Sequence, residues 1–186
     1  HTLYGGYPEL PDDVICDMHV RVEREPRPAL PGRRRVRFTV DGVQPTDGAP
    51  EHHAPAVLEW GMNIAMALRS HHYLMLHSGA LERDGGALLL PAAPGSGKST
   101  LTAALAQAGW RLLSDEFGLV APESGEVVPM PRPVALKNAS IEIIRARSPD
   151  AVLGPVMTGT IKGTVAHLRA SSESIRRLHE RAPPRM

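Results

Sequence analysis

Residues 88–116 read LLLPAAPGSGKSTLTAALAQAGWRLLSDE. A short apolar run enters a glycine-containing turn, a segment dominated by Ala and Leu follows, and a second apolar run ends in two acids. Ala and Leu are strong helix formers, and Gly109 stands where a helix closes on a left-handed residue. The segment therefore predicts strand, loop, helix, strand over residues 88–116, and with it an α/β (α+β) class.

The loop has a recognisable chemistry. Ala92, Gly97, Lys98 and Ser99 fit the phosphate-binding pattern of a glycine, four free positions, then Gly, Lys and Ser or Thr, with alanine in the first place. Gly95 and Gly97 let successive N–H groups curl toward one phosphate, and the helix that follows aims its positive end at the same point. Pro94, Gly95, Ser96, Gly97, Lys98, Ser99 and Thr100 are thus the candidate contacts for ATP. Lys98 is expected to reach the β- and γ-phosphate oxygens, and the Ser99 hydroxyl to ligate Mg²⁺. The competing reading is a glycine-rich strand-to-helix turn that happens to contain a lysine.

Asp115 and Glu116 end the next apolar run, which is expected to lie beside the strand that leads into the loop. One acid there can bind Mg²⁺ and a second can take a proton from an attacking hydroxyl. Neighbouring residues of a strand face opposite ways, so both acids serve the site only if the strand ends there. A plain loop cap is the alternative. Upstream, His77 closes the short apolar run YLML and is expected near the same sheet edge. A lone histidine is more often a packing residue than a catalyst. His52, His53, His71 and His72 lack metal-ligand spacing.

Further out, the pattern falls into two parts, a small β-rich lobe over residues 1–50 and the loop-bearing domain over 51–186. Val14, Cys16 and Val22 belong to an alternating stretch, and RRVRFTVDGV is another, as half-buried strands require. EREPRPALPGRRR suits an exposed connection between them. Val57, Leu58, Met62, Ile64, Ala65 and Leu68 recur at helical spacing, to about Ser70. Asp84-Gly85-Gly86 predicts a hairpin turn, FGLVAPESGEVVPM a second hairpin, and NASIEIIRARS a helix capped by Asn138 or Ser140. The stretch 170–185 is charged and amphipathic.

The chain has 186 residues and a net charge of +1, which argues neither for nucleic acid nor for a membrane surface. Its single cysteine, Cys16, has no partner for a disulfide, so a reducing, cytoplasmic setting is expected. An opening on His1 and an ending in HERAPPRM predict that the natural protein extends beyond both ends. No apolar run reaches the roughly 20 residues of a membrane span.

Taken in order, HSGALERDGGALLLPAAPGSGKSTLTAALAQAGWRLLSDE resembles the C-terminal domain of bacterial HPr kinase/phosphorylase. HTLYGGYPELPDD, HHYLMLHSGALERDG, LLSDEFGL, PRPVALKN and GTIKGTVAHL resemble more closely the group called HPr-kinase-related kinase A. The resemblance implies a P-loop kinase domain similar to phosphoenolpyruvate carboxykinase, with the loop between strands of a mixed, strongly twisted sheet. It implies a catalytic set of His77, Lys98, Asp115 and Glu116, with Ser99 and Asp115 holding metal. In that family the second acid is an aspartate, whereas here it is Glu116, and the histidine is followed by glycine, whereas here Ser78 intervenes. The family's downstream glycine-rich signature is replaced by PRPVALKNAS and GPVMTGTIKGTVAHL. Arg132, Lys137 and Lys162 there are candidate phosphate contacts, weighed against solvated surface cations, and TGTIKGT is expected to be a mobile loop.

The function expected is an ATP- and Mg²⁺-dependent kinase acting on a serine-type hydroxyl of a protein, peptide or small molecule, with a homo-oligomer as one possible state. The alternatives are a non-catalytic ATP-binding module that gates a partner, and a phosphoserine phosphorylase or phosphatase.

Overall fold

The computed structural model describes residues 2–26 and 34–183. The middle of the connection expected between the first two strands, residues 27–33, lies outside the described residues, as do the final residues 184–186. Two compact units divide the chain, one made of Glu9–His71 and the other of His1–Pro8 with His72–Met186.

In the first unit, β1 (Val20–Arg24), β2 (Arg35–Val40) and β3 (Ala49–Pro50) form an antiparallel sheet in that order, followed by α1 (Ala54–Arg69). Alternation decides its faces: Val36, Phe38 and Val40 are buried against Val57 and Ala65 of the helix, while Arg37 turns outward to pair with Glu23 at 2.8 Å. The helix lies so close that a Cβ at Gly61 would stand 2.2 Å from the Phe38 ring. Because α1 is this sheet's own cover, the boundary falls after residue 71 and not after residue 50. The strand expected from Val14 begins only at Val20. Val20 pairs with Val40, the last residue of β2, so residues before it have no strand to pair with among the described residues, and Ile15 is 98% exposed.

The second unit contains β4 (Leu74–Leu76), β5 (Ser78–Arg83), β6 (Gly86–Pro91), α2 (Lys98–Gln107), β7 (Arg111–Ser114), β8 (Gly118–Val120), β9 (Val127–Val128), β10 (Val134–Lys137), α3 (Ala139–Arg147), β11 (Met157–Thr160), β12 (Gly163–Leu168) and α4 (Ser172–Arg176). They make three-stranded sheets ordered β6-β5-β7, β4-β8-β9 and β10-β12-β11. The protein is thus a mixed α/β chain of small antiparallel sheets with four α-helices among the described residues. None of the described helices is long and apolar enough to cross a membrane.

Strand order corrects one expectation. β7, which leads to the two acids, does not lie beside β6; β5 stands between them. The cause is the turn joining β5 to β6, where Asp84 and Gly85 take φ of +51° and +77°, the conformation of a two-residue hairpin. Glu82 Oε1 accepts the Gly85 amide hydrogen at 3.0 Å and tightens it. So short a turn holds β6 on one edge of β5, leaving β7 the other. Both run antiparallel to β5 and therefore parallel to each other, with α2 as their connection. The loop strand is an edge strand of a small antiparallel sheet, not a member inside a mixed one.

The tail covers part of that edge. Ala87 donates to the Pro183 carbonyl at 2.7 Å, and Val127 and Ala182 exchange amide hydrogen bonds of 2.8 and 3.1 Å. A buried network anchors the same segment: the Arg111 guanidinium lies 3.3 Å from Glu82 Oε2 and donates to the carbonyls of Arg177 and Glu180.

The main core lies on one face of β10 and β12. Val134, Leu136, Ala166 and Leu168 meet Ala103 of α2, Ile141 and Ile144 of α3, and Ile175 of α4. Burying side chains of this size contributes about 1.5–3 kcal/mol each for Leu and Ile. By the period of two, Ala135, Lys137, Val165 and His167 stand on the opposite face. TGTIKGT, expected as a mobile loop, belongs to the β11–β12 hairpin, whose turn is held by Thr160 Oγ1 donating to the Gly163 carbonyl at 2.7 Å.

Candidate active site

The loop after β6 has the backbone its glycines require. Gly95 and Gly97 take φ of +83° and +91°, and Gly97 is the residue from which α2 starts. A Cβ at either would meet nothing within 4 Å; conformation, not space, calls for glycine there. Pro94, Gly95 and Ser96 lie exposed in the loop. Gly79 meets the other need. A Cβ on it would fall 2.1 Å from Thr102 Oγ1, so the glycine one step after Ser78 is what lets β5 approach α2.

Lys98 Nζ donates to the Ala92 carbonyl at 2.9 Å, closing the loop on itself across its first and last positions. Ser99, on the next step of the helix, stands beside Asp115, whose charged form its hydroxyl favours. Thr100 points elsewhere: its hydroxyl lies 2.7 Å from Ser140 Oγ and ties α2 to α3. Ser140 is thereby engaged away from its own helix. Asn138 occupies the N-cap position with φ of +51° and makes no side-chain cap; its Oδ1 accepts the Thr164 amide hydrogen at 3.1 Å. The side-chain cap expected of either residue is not formed.

β7 ends at Ser114, so the two acids follow the strand and are not bound to its alternation of faces. Asp115 is 6% exposed, and its Oδ2 accepts the Ala135 amide hydrogen at 3.3 Å. Burial, and next the charge of Glu116, push its carboxyl up to about 7, against the Ser99 hydroxyl, the Ala135 amide and the Lys137 charge. Its Oδ1 has no hydrogen-bond partner among the described residues. Glu116 Oε2 lies 3.4 Å from Nε2 of the half-exposed His77.

Cations face these acids. Lys137 ends β10, and Lys162 sits in the β11–β12 turn. Lys162 is exposed as a residue, yet its ammonium is held below the ordinary lysine value by partial burial and then by Lys137, with Glu116 opposing. Arg132, weighed as a surface cation, is only 8% exposed.

One site residue escaped the sequence reading. His167 is 1% exposed in β12. Burial first, then Arg132 and Lys137, lower its imidazole to about 4 against the pull of Glu116, so it is neutral near pH 7. The signal was present: an imidazole two residues from Val165 in an apolar strand lies on the face shared with Lys137. His52 and His53 meet edge to face, with ring centroids 4.2 Å apart, and the His72 ring tilts against Tyr73 at 4.1 Å.

Among the described residues no group of three His, Cys, Asp or Glu side chains forms a metal cage. An ion beside Asp115 would therefore draw its other ligands from hydroxyl, phosphate and water oxygens. The chain matches no protein-family model, no curated protein and no solved structure.

Proposed function

We propose that the second unit is a phosphotransferase of the HPr-kinase-like kind, moving the γ-phosphoryl group of ATP to a serine-type hydroxyl with Mg²⁺ present. The observation that carries this reading is the meeting of Ser99 and Asp115: the first hydroxyl of α2 stands against a buried acid from the end of β7. A loop bearing Lys98, a helix start and an acid in that relation are the parts that phosphoryl transfer uses.

The donor atoms fit the metal. Asp115 Oδ1, buried without a hydrogen-bond partner among the described residues, and the Ser99 hydroxyl are hard oxygen ligands of the type Mg²⁺ takes. When bound, the ion would neutralise charge on the phosphate oxygens. Lys98 exchanges the Ala92 carbonyl for phosphate oxygens, and the amides of residues 95–99 add their dipoles. Glu116, oriented by His77, takes the hydroxyl proton as the acceptor oxygen bonds to the γ-phosphorus. The bond from that phosphorus to the bridging oxygen breaks, and ADP leaves with the electron pair.

The test follows Mg²⁺-dependent ATP turnover in the full chain with candidate serine acceptors added singly. Wild type should phosphorylate an acceptor, while Lys98→Ala and Glu116→Gln keep their fold and lose about 100-fold or more in rate. ATP binding without transfer to any acceptor, and without effect of Glu116→Gln, would sink this reading in favour of a gating module.

A further inference from the structure

We propose that β1 is a dimerisation edge, on which a second copy of this chain adds its own β1, antiparallel, about a two-fold axis at Val22. The sheet of the first unit runs β1-β2-β3, so β1 has a neighbour strand on one side only. The ladder decides which of its backbone groups are left over. Asp41 donates to the His19 carbonyl and Glu25 to the Arg35 carbonyl, and bonded residues alternate along an antiparallel strand. Arg21 and Glu23 therefore bond to Thr39 and Arg37 of β2, while the N–H and C=O groups of Val20, Val22 and Arg24 point outward. None of these groups has a backbone partner among the described residues.

Edge strands are commonly kept single by a proline, a bulge or charge. β1 contains no proline and its register against β2 is unbroken; its charges, on the exposed face opposite Val20 and Val22, select a partner instead of repelling one. The sequence VRVER sets the register. With the axis at Val22, that residue bonds to its own copy and Val20 bonds to the partner's Arg24. Arg21 then stands opposite the partner's Glu23, and Glu23 opposite the partner's Arg21, in narrow pairs where side chains lie closest. Opposite charges so placed stabilise a sheet, and like charges directly opposite destabilise it. An axis at Arg21 or at Glu23 would set each charge against itself. Glu23 already meets Arg37 at 2.8 Å, so in the pair it lies in a row between that arginine and the partner's Arg21. The contact is isologous and closes at two copies. Being one strand wide, it belongs with small, transient interfaces, and the dimer builds up with concentration.

The pairing is independent of the phosphotransferase reading. Sedimentation velocity of the full chain over a range of concentrations tests it. Wild type should pass from monomer toward dimer as concentration rises. Arg21→Glu and Glu23→Arg should each weaken the dimer by about tenfold or more, since each sets like charges in both narrow pairs. An equal mixture of the two variants sets opposite charges in both pairs again and should recover the dimer, as should the double exchange in one chain. Val22→Pro removes an outward amide and no bond to β2, so it should keep the fold and lose the dimer. Monomeric wild type at every concentration, a dimer that survives in folded Val22→Pro, or a mixture of the charge variants that pairs no better than either alone would overturn the proposal. If Val22→Pro does not fold, the mixture decides.

Discussion

Asp115 and Ala135, twenty positions apart in the chain, are joined by a 3.3 Å hydrogen bond from amide to carboxyl at the outer edge of β10. This contact carries the end of β7 to the polar face of another sheet and takes the carboxyl out of water. In the unfolded chain an aspartate loses its proton near pH 4, and in the fold Asp115 does so near 7. The unfolded state thus holds fewer protons through that window, and stability falls as pH rises from about 4 to about 7. Asp115→Asn keeps an acceptor for the Ala135 amide and removes the charge. In the ligand-free protein it should be more stable than wild type at pH 8, by on the order of 2 kcal/mol, with the gain gone at pH 4. Urea unfolding at both pH values checks this; equal stability at pH 8 would count against a raised carboxyl.

The Glu82–Arg111 pair should behave as a buried one. Their side chains are 7% and 2% exposed, and removing one partner of such a pair costs about 3–5 kcal/mol because the other charge stays buried. Glu82→Ala should approach that cost in chemical denaturation, and Arg177→Ala should cost much less, since Arg177 is 30% exposed and screened by solvent. A loss below about 1 kcal/mol for Glu82→Ala would show the pair to be replaceable.

Gly79 and Thr102 should be coupled. Gly79→Ala puts a methyl 2.1 Å from Thr102 Oγ1, and overpacking at such a contact costs about 1–3 kcal/mol. Thr102 Oγ1 is itself buried without a hydrogen-bond partner among the described residues. Adding Thr102→Ala should therefore recover much of the loss. A double-mutant cycle with no coupling would place the strain elsewhere.

In the other unit, Gly61→Ala should destabilise the packing of α1 on β2, despite the better helix propensity of alanine. The added methyl would stand 2.2 Å from the Phe38 ring, which is fully buried and cannot retreat. A lower melting temperature in Gly61→Ala, partly restored by Phe38→Leu, is the expected outcome.

What the sequence made legible was mostly local chemistry. Asp84 and Gly85 announce their turn, Gly97 and Gly109 bracket α2, and the acids after Ser114 end their strand because no further pairing holds them. The pairing of one strand with another was not legible in this way. Val14 and Cys16 alternate as strand residues do, yet no partner strand reaches them among the described residues. The order β6-β5-β7 follows from a hairpin holding an edge, which apolar content in residues 110–116 does not reveal. His167 and Arg132 needed the third dimension as well, because burial of a polar side chain depends on which face of β12 and which side of the preceding segment the core occupies.

The covering of β6 by Pro183 has a consequence for the order of events on the ribosome. The strand that leads into the loop is made early, whereas the backbone that closes part of its outer edge emerges nearly a hundred residues later. During synthesis the β5–β6 hairpin must wait with that edge bare, open to pairing with other nascent chains. Emergence of the segment that carries Pro183 is then the step that ends this exposure at Ala87.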